Sequence, residues 1–434
     1  MKKTFILFVY ICYLLFSVHA QEFSLDSCVS YALQNNKKLF LKMQHIQVAD
    51  RNKQATQAKL FPQIKLSAGA DYYWKIPVQT YPGELVGQPS ETTVAIPIGT
   101  TWMANYAIEA AWKAIDVETW QIIRLESLKK QAAKASLHSF VRLVERNVSM
   151  AFYAARIAKD NKAMSQRRYE SYMLSHQLIQ KLFEQGLIDK IALNQSQNIL
   201  NDYEFVLSKR TTEMESSLVD LKFWMGYPLE ESISIKASSE TCLPEHTLFA
   251  ENNLPDYEEQ QAKTDIARQE YKISRSRLLP NLSFVGNYGH NGFADNSRTL
   301  KRFSSWYPSG FIGLRVSIPL FSLTDIRTLK RQKAVFLQTL FEGTVHQEQQ
   351  RKAFTQESLK LKSAWNSLQL LKEQMRLIEE NEELSLRKIE KGIIDMIQLK
   401  QIQQELMDIQ QRYDSLKIEY SQIYVELNYL QRNK

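Results

Sequence analysis

Four stretches of the chain alternate apolar and polar residues with a period of two. In the first, Ile64, Leu66, Ala68, Ala70, Tyr72 and Trp74 share one face, and Lys65, Ser67, Asp71 and Tyr73 share the other. In the second, Trp102, Ala104, Tyr106, Ile108 and Ala110 oppose Asn105 and Glu109. The third sets Leu282, Phe284 and Tyr288 against Ser283 and Asn287, and the fourth sets Ile312, Leu314, Val316 and Ile318 against Arg315 and Ser317. Successive side chains of a strand point to opposite faces, so each stretch predicts a strand with one apolar face. The spans, about 63–75, 101–112, 281–290 and 311–319, have the ~10-residue length of a tilted membrane strand. Trp74, Tyr81, Trp102, Trp306 and Tyr307 stand near their ends, where interfacial aromatics sit in membrane barrels. A soluble hairpin with one face on a core is the alternative for any single stretch. Four copies in two Pro-led pairs, with polar loops at about 76–100 and 291–310 between them, favour membrane strands.

Elsewhere the period lengthens to seven. Leu193, Leu200, Leu207, Met214 and Leu221 are spaced in this way, as are Ile402, Ile409, Leu416, Ile423 and Leu430. A second line in the latter stretch runs Leu399, Leu406, Tyr413, Tyr420 and Leu427. Such spacing keeps an apolar seam facing a partner helix and imposes a left-handed supercoil. Upstream of each seam lies a long stretch almost free of helix breakers. From about Val117 to Gln185 there is no Gly or Pro, and from about Asp325 to Lys391 only Gly343 intervenes. Each would span about 100 Å at 1.5 Å per residue. No globular core needs helices of that length, which implies a coiled coil.

The turn between long helix and seamed helix occurs twice. Gln185-Gly186-Leu187-Ile188-Asp189 corresponds to Lys391-Gly392-Ile393-Ile394-Asp395. Gly supplies the left-handed residue that ends one helix, and Asp three positions later caps the next. Leu60-Phe61-Pro62-Gln63-Ile64 and Leu278-Leu279-Pro280-Asn281-Leu282 also repeat. There Pro stops a helix and biases its predecessor to extended backbone. The chain therefore reads as a duplicated body of mostly α structure with membrane β. Residues 21–226 form a first repeat of a helix, two strands and a long helical hairpin with its tip at 186–189. Residues 227–255, with Pro228, Pro244 and Pro255, form an irregular equatorial connector, and 256–434 form a second repeat with its tip at 392–395.

Composition narrows the setting. Lys2, Lys3, an apolar stretch from Phe5 to Phe16 and the exit Val18-His19-Ala20 predict an export signal over residues 1–20. No run of about 18 apolar residues follows, so no transmembrane helix is expected. The net charge of +8 falls when Lys2 and Lys3 leave with the signal. The remaining basic residues are interspersed with acidic ones along helices, which suits solvated faces and no nucleic-acid partner. Export permits Cys28 and Cys242 to form a disulfide, with free buried thiols as the alternative. No P-loop, dinucleotide-binding glycine set, H-E-x-x-H, C-x-x-C or G-x-S-x-G occurs, and the histidines are scattered. The sequence thus predicts no enzyme, no cofactor and no metal site.

Four strands cannot close a barrel, and lipid cannot satisfy an open sheet edge. Several chains must then share one barrel, and three supply twelve strands, an even number within the usual range. Lys65, Asp71, Asn105, Glu109 and Arg315 are the candidates to line its lumen.

This ordered set resembles the TolC-like outer-membrane efflux protein family. The residues that carry the resemblance are Phe23-Ser24-Leu25 followed by Ala32-Leu33-Gln34-Asn35-Asn36, the two Leu-x-Pro strand entries, Ile318-Pro319-Leu320-Phe321, and the two Gly-x-x-Asp tips. The resemblance implies a homotrimer in outer-membrane lipid with a shared twelve-stranded barrel and a periplasmic α-barrel. It also implies tips that dock on a periplasmic adaptor fed by an inner-membrane transporter, in efflux or type I secretion. The matching tip positions are Gly186, Leu187, Ile188, Asp189, Gly392, Ile393, Ile394 and Asp395. Gly and Asp there also serve as caps, whereas apolar residues at an exposed turn suit a partner. One departure concerns the periplasmic gate. Members with an acidic constriction carry aspartates where Gln398 and Gln401 stand, and some carry a gate arginine where Ile394 stands. Closure here is expected to depend on apolar packing and amide hydrogen bonds. The runner-up readings are a periplasmic coiled-coil adaptor or structural protein of an export complex, and a secreted enzyme or lectin on a helical stalk. The first would have one hairpin between small β-domains, and the second a compact polar site.

Overall fold

A computed structural model describes residues 22–87, 89, 91–236, 257–296, 298, 306–390 and 396–431. The expected export signal, Cys242 and the second-tip residues Gly392, Ile393, Ile394 and Asp395 lie outside the described residues. In chain order the first repeat contains β1 (Glu22–Phe23), α1 (Leu25–Asn35), α2 (Lys37–Gln57), β2 (Gln63–Tyr72), β3 (Val78–Pro82), β4 (Thr93–Pro97), β5 (Trp102–Ile115), α3 (Val117–Glu184) and α4 (Lys190–Met225). After β6 (Ser234–Ile235), the second contains α5 (Tyr257–Ser276), β7 (Asn281–Ala294), β8 (Trp306–Ser317), α6 (Leu323–Glu390) and α7 (Met396–Gln431). No helix among the described residues is long and apolar enough to cross a membrane. The chain divides into two units, one of Met1–Gln44, Lys134–Gln260 and Gly343–Lys434, the other of His45–Ala133 and Gln261–Glu342.

The second unit holds an antiparallel sheet in the order β2-β5-β7-β8. Pairing places Lys65 opposite Glu109 and Glu109 opposite Asn287, while Ile64, Ala110, Gly286 and Ile312 form the adjacent row. Directly paired residues share a face, so the four separate alternations merge into one apolar and one polar side. The strand limits differ from those read in the sequence. The first ends at Tyr72 and leaves Trp74 beyond it, the second continues to Ile115 past a bulge, the third reaches Ala294, and the fourth begins at Trp306 and stops at Ser317. Inside the expected loop, β3 and β4 pair as a small antiparallel ribbon. At the sheet-to-helix junctions the backbone is capped. Asp116 accepts from the Thr119 amide at 3.3 Å, and Ser322 accepts from the Asp325 amide at 3.2 Å.

The first unit is built on the helices. Both long helices, α3 and α6, have 68 residues, and both return helices have 36. Of the predicted double seam of α7, Leu399, Leu406, Tyr420 and Leu427 are fully buried and Ile409, Ile423 and Leu430 nearly so, while Ile402, Tyr413 and Leu416 are half-buried. Tyr420 and Leu427 meet Phe354, Leu361 and Leu368 of α6 in one cluster, Leu406 meets Met375 and Ile378 of α6 in another, and Leu399 joins Tyr172, Ile179, Ile199 and Tyr203 of the first hairpin. In the first hairpin the Leu193–Leu221 line is only half-buried until Leu221, and Ser196, Ile199 and Tyr203 beside it are fully buried. A further core joins Phe23 of β1, Cys28 and Ala32 of α1, Val144, Val148 and Phe152 of α3, Leu221 and Met225 of α4, and Ile235. The described first part of the connector, up to residue 236, enters that core, because β6 pairs with β1 in parallel. Cys28 lies inside this cluster with no disulfide partner among the described residues, and burial pushes the pKa of its thiol up to about 12.

Candidate functional site

Two regions carry the residues singled out by the sequence, one on the sheet and one at the first hairpin tip. On the polar side of the sheet, Lys65 and Glu109 form an ion pair at 2.8 Å, and Ser67 donates to Glu109 at 2.9 Å. Asn105 and Asn287 lie on the same side by register, and so do Asp71 and Arg315, which sit opposite Met103 and Ser283. The five expected lumen residues therefore share one face. Phe293, Phe311 and Tyr307 also lie on it by register, with Phe293 and Tyr307 rings 6.2 Å apart. Tyr307 is thus not a member of the interfacial girdle.

The apolar side is uncovered. Ile64, Leu66, Ile108, Leu314 and Val316 are exposed, and Ile312 is 92 % exposed. Burying such a side chain is worth about 1.5–3 kcal/mol, so water is a poor medium for this face. Aromatic residues bound it at both ends. Tyr72 packs on Trp102 at 4.8 Å and Tyr106 on Trp306 at 5.4 Å toward the loops. Trp112 stacks on Phe284 at 5.4 Å near the helices and donates to the Leu60 carbonyl at 2.8 Å. Trp112 lies ten positions from Trp102 on β5. At about 3.3 Å per residue and a tilt near 45°, the two bands are roughly 23 Å apart, the height of a barrel's apolar belt. The helix-side band escapes a sequence reading, because Trp112 and Phe284 sit on different repeats and only register brings them together.

At the first tip, Leu187 donates its amide to the Leu182 carbonyl and Gly186 to that of Phe183, both at 2.9 Å. This is a Schellman closure with Gly186 at φ +73°. Asp189 then accepts from the Ala192 amide at 2.8 Å as the cap of α4. Leu187 is 64 % exposed, whereas Ile188 is half-buried against Tyr172, Ile179, Ile199, Tyr203 and Leu399. The exposed apolar partner of Leu187 in sequence is Ile191, at 65 %. Gln398 and Gln401 are exposed on the first turns of α7 on either side of buried Leu399.

Beneath the tip lies a polar layer that apolar periodicity does not reveal. His176 and Tyr172 both reach the Ser196 hydroxyl, at 2.8 and 3.2 Å. Burial lowers the pKa of His176 and pushes that of Tyr172 up to about 12. Glu382 accepts from Tyr203 and from Gln403, each at 3.3 Å, which ties α6 to α4 and α7. Farther along, Asp414 is held by Arg210 at 2.9 Å and Lys417 at 3.0 Å, and Lys417 donates to Asn161 at 2.9 Å. These bonds join α3, α4 and α7 through charges withdrawn from water. Arg168 extends the layer to Glu379 of α6 at 2.6 Å.

No family model matches the sequence, and no curated protein matches it. Solved structures do match. CusC, described in terms of folding and transmembrane channel formation, is 14 % identical over 95 % of this chain and 93 % of its own, with a TM-score of 0.75. The Campylobacter jejuni CmeC outer-membrane channel is 15 % identical over 94 % and 85 %, with a TM-score of 0.71. The outer-membrane protein VceC from Vibrio cholerae is 13 % identical over 94 % and 96 %, also at 0.71. Likenesses this complete at such low identity concern the arrangement of elements: this chain has the fold of the TolC-like outer-membrane channels.

Proposed function

We propose that the protein is an outer-membrane exit channel. Three copies pair their sheet edges into one barrel, and their helical hairpins form a periplasmic conduit. Substrates pass from an inner-membrane transporter and a periplasmic adaptor, through the barrel, to the outside. The observation that carries this reading is the four-stranded sheet with two free edges, β2 and β8, an uncovered apolar side between two aromatic bands, and a polar side with Lys65, Asp71, Asn105, Glu109 and Arg315. A free edge in lipid leaves backbone groups unsatisfied, so another copy must complete it. Nothing in this arrangement calls for catalysis, and the energy for transport comes from the partner transporter. Purified protein added to a planar lipid bilayer tests the reading. A stable water-filled conductance is expected, and protein that never produces one contradicts it.

The adaptor contact is assigned to the tip, with Leu187 and Ile191 as its exposed apolar residues on the first hairpin. Leu187→Ser with Ile191→Ser is expected to weaken binding of the purified cognate adaptor about tenfold or more, a loss of about 1.4 kcal/mol. Unchanged affinity would place the contact elsewhere. The gate region carries neutral Gln398 and Gln401, so divalent and trivalent cations are expected to block the conductance only weakly.

A further inference from the structure

In the sheet unit, the handover from β8 to α6 changes character abruptly. Ile318, Leu320, Phe321 and Leu323 are exposed, Leu320 at 93 %, and extend the apolar side that Ile312, Leu314 and Val316 present on β8. Over the next two turns, Thr324, Arg327, Thr328 and Arg331 recur at helical spacing and, with Leu323, line an open groove of about 420 Å³. Arg327 lies about half a turn around the helix from Phe336, which packs under the Arg268 guanidinium of α5 at 5.4 Å. The groove thus belongs to the side of α6 turned away from α5. Arg327 and Arg331 form no ion pair or hydrogen bond among the described residues.

Charge at the junctions is unbalanced. Lys113 holds Asp116 at 3.1 Å, Arg277 holds Glu118 at 2.8 Å, and Lys130 holds Asp50. Between Leu323 and Val335 the one acid is Asp325, against Arg327, Lys330, Arg331 and Lys333. Two planar guanidiniums flanked by two hydroxyls fit the oxygens of a phosphodiester, and the apolar segment beside them fits acyl chains. We propose that this groove binds the headgroup of an anionic phospholipid in the leaflet on the helix side of the barrel. The proposal rests on β8 being a membrane strand. A second copy is a poor occupant, because the segment leading into the other free edge carries Arg51, Lys53 and Lys59, and like charges would meet.

Native mass spectrometry of the intact oligomer tests this, with phosphatidylglycerol and phosphatidylcholine of matched chain length supplied in equal amounts. The wild-type protein is expected to retain phosphatidylglycerol about fivefold or more over phosphatidylcholine. Arg327→Gln with Arg331→Gln loses that preference and keeps the oligomer mass. Lys362→Ala with Lys372→Ala, which removes the same charge lower on α6, keeps both. A double arginine variant that retains the preference overturns the proposal. So does one that falls apart into single chains, which would make the groove a contact between copies. The same spectra separate the two readings. Wild-type protein that forms no oligomer defeats the channel and the lipid site together, whereas an oligomer without lipid preference defeats the lipid site alone.

Discussion

At the scale of single residues, the first tip is defined by Gly186 and Asp189. Gly186 stands at φ +73°, where a side chain clashes with the backbone, and no other atoms crowd its missing Cβ. Gly186→Ala is therefore expected to cost about 1–2 kcal/mol through backbone strain alone. Asp189→Ala should cost about 1 kcal/mol through the lost cap. Hydrogen exchange of the tip amides checks both, and unchanged protection would contradict the turn geometry. These two roles are legible in the sequence, because Gly and Asp have few other reasons to stand three apart between two helices. The division between Leu187 and Ile188 is not legible, since both are apolar and only the packing of Ile188 against the buried cluster beneath the tip tells them apart. His176 adds a pH dependence. Burial holds it below its ordinary value of 6.5, so the unfolded chain takes up the proton first. Its contribution is complete above the ordinary histidine range and is lost as pH falls through about 6.5 toward the lower folded value. Exchange of the amides around Tyr172 and Ser196, corrected for intrinsic rates, should accelerate with acidification in this window. His176→Gln should flatten the response, and an equal response in that variant would contradict the assignment.

At the scale of elements, the hairpins combine apolar seams with buried charge. The seams of α7 are visible in the sequence because Leu, Ile and Tyr recur every seven residues, and the structure buries all of them but half-buried Ile402, Tyr413 and Leu416. On α4 the same spacing runs through Ser196, Tyr203, Arg210 and Ser217, which a search for apolar residues passes over. Arg210 and Tyr203 find partners on α7 and α6, so this polar line is an inter-hairpin contact and not a solvated face. Removing one member of a buried pair strands the other. Asp414→Ala strands both Arg210 and Lys417 and should cost about 3–5 kcal/mol, while Asp414→Leu combined with Arg210→Met and Lys417→Met should cost far less. Denaturant unfolding in detergent checks this, and equal losses would mean that the pair is effectively solvated. The strands show a different limit of legibility. Alternation gives the face of the assigned residues that lie within the four strands, and register puts the five polar candidates on one side, while Tyr73 and Trp74 fall beyond the first strand. It misplaces the ends, because strand length depends on partner hydrogen bonds, which carry β7 to Ala294 beyond its clear alternation.

At the scale of the whole molecule, one chain presents surfaces that it cannot satisfy by itself. Among the described residues the sheet has two free edges and an uncovered apolar side. Helix α2 exposes Phe40, Leu41, Met43 and Val48, and α6 exposes Leu337, Phe341, Val345 and, farther along at intervals of seven, Leu370, Leu377 and Leu384. Helix α2 precedes β2 and α6 follows β8 in the chain, so under the proposed edge pairing between copies these elements would follow one another around a ring. The duplicated order of helices and strands is legible in the sequence from repeated turns, and the strand count is what motivates the proposal of several copies. The cargo is not legible, because the mixed polar side of the sheet carries no recognition chemistry for one substrate. The measurement that tests the central claim most directly is the native mass of the protein extracted from outer membranes in mild detergent. A mass near three chains, lost when detergent is withdrawn, is the predicted result. A single chain that stays soluble and folded without detergent would contradict the shared barrel.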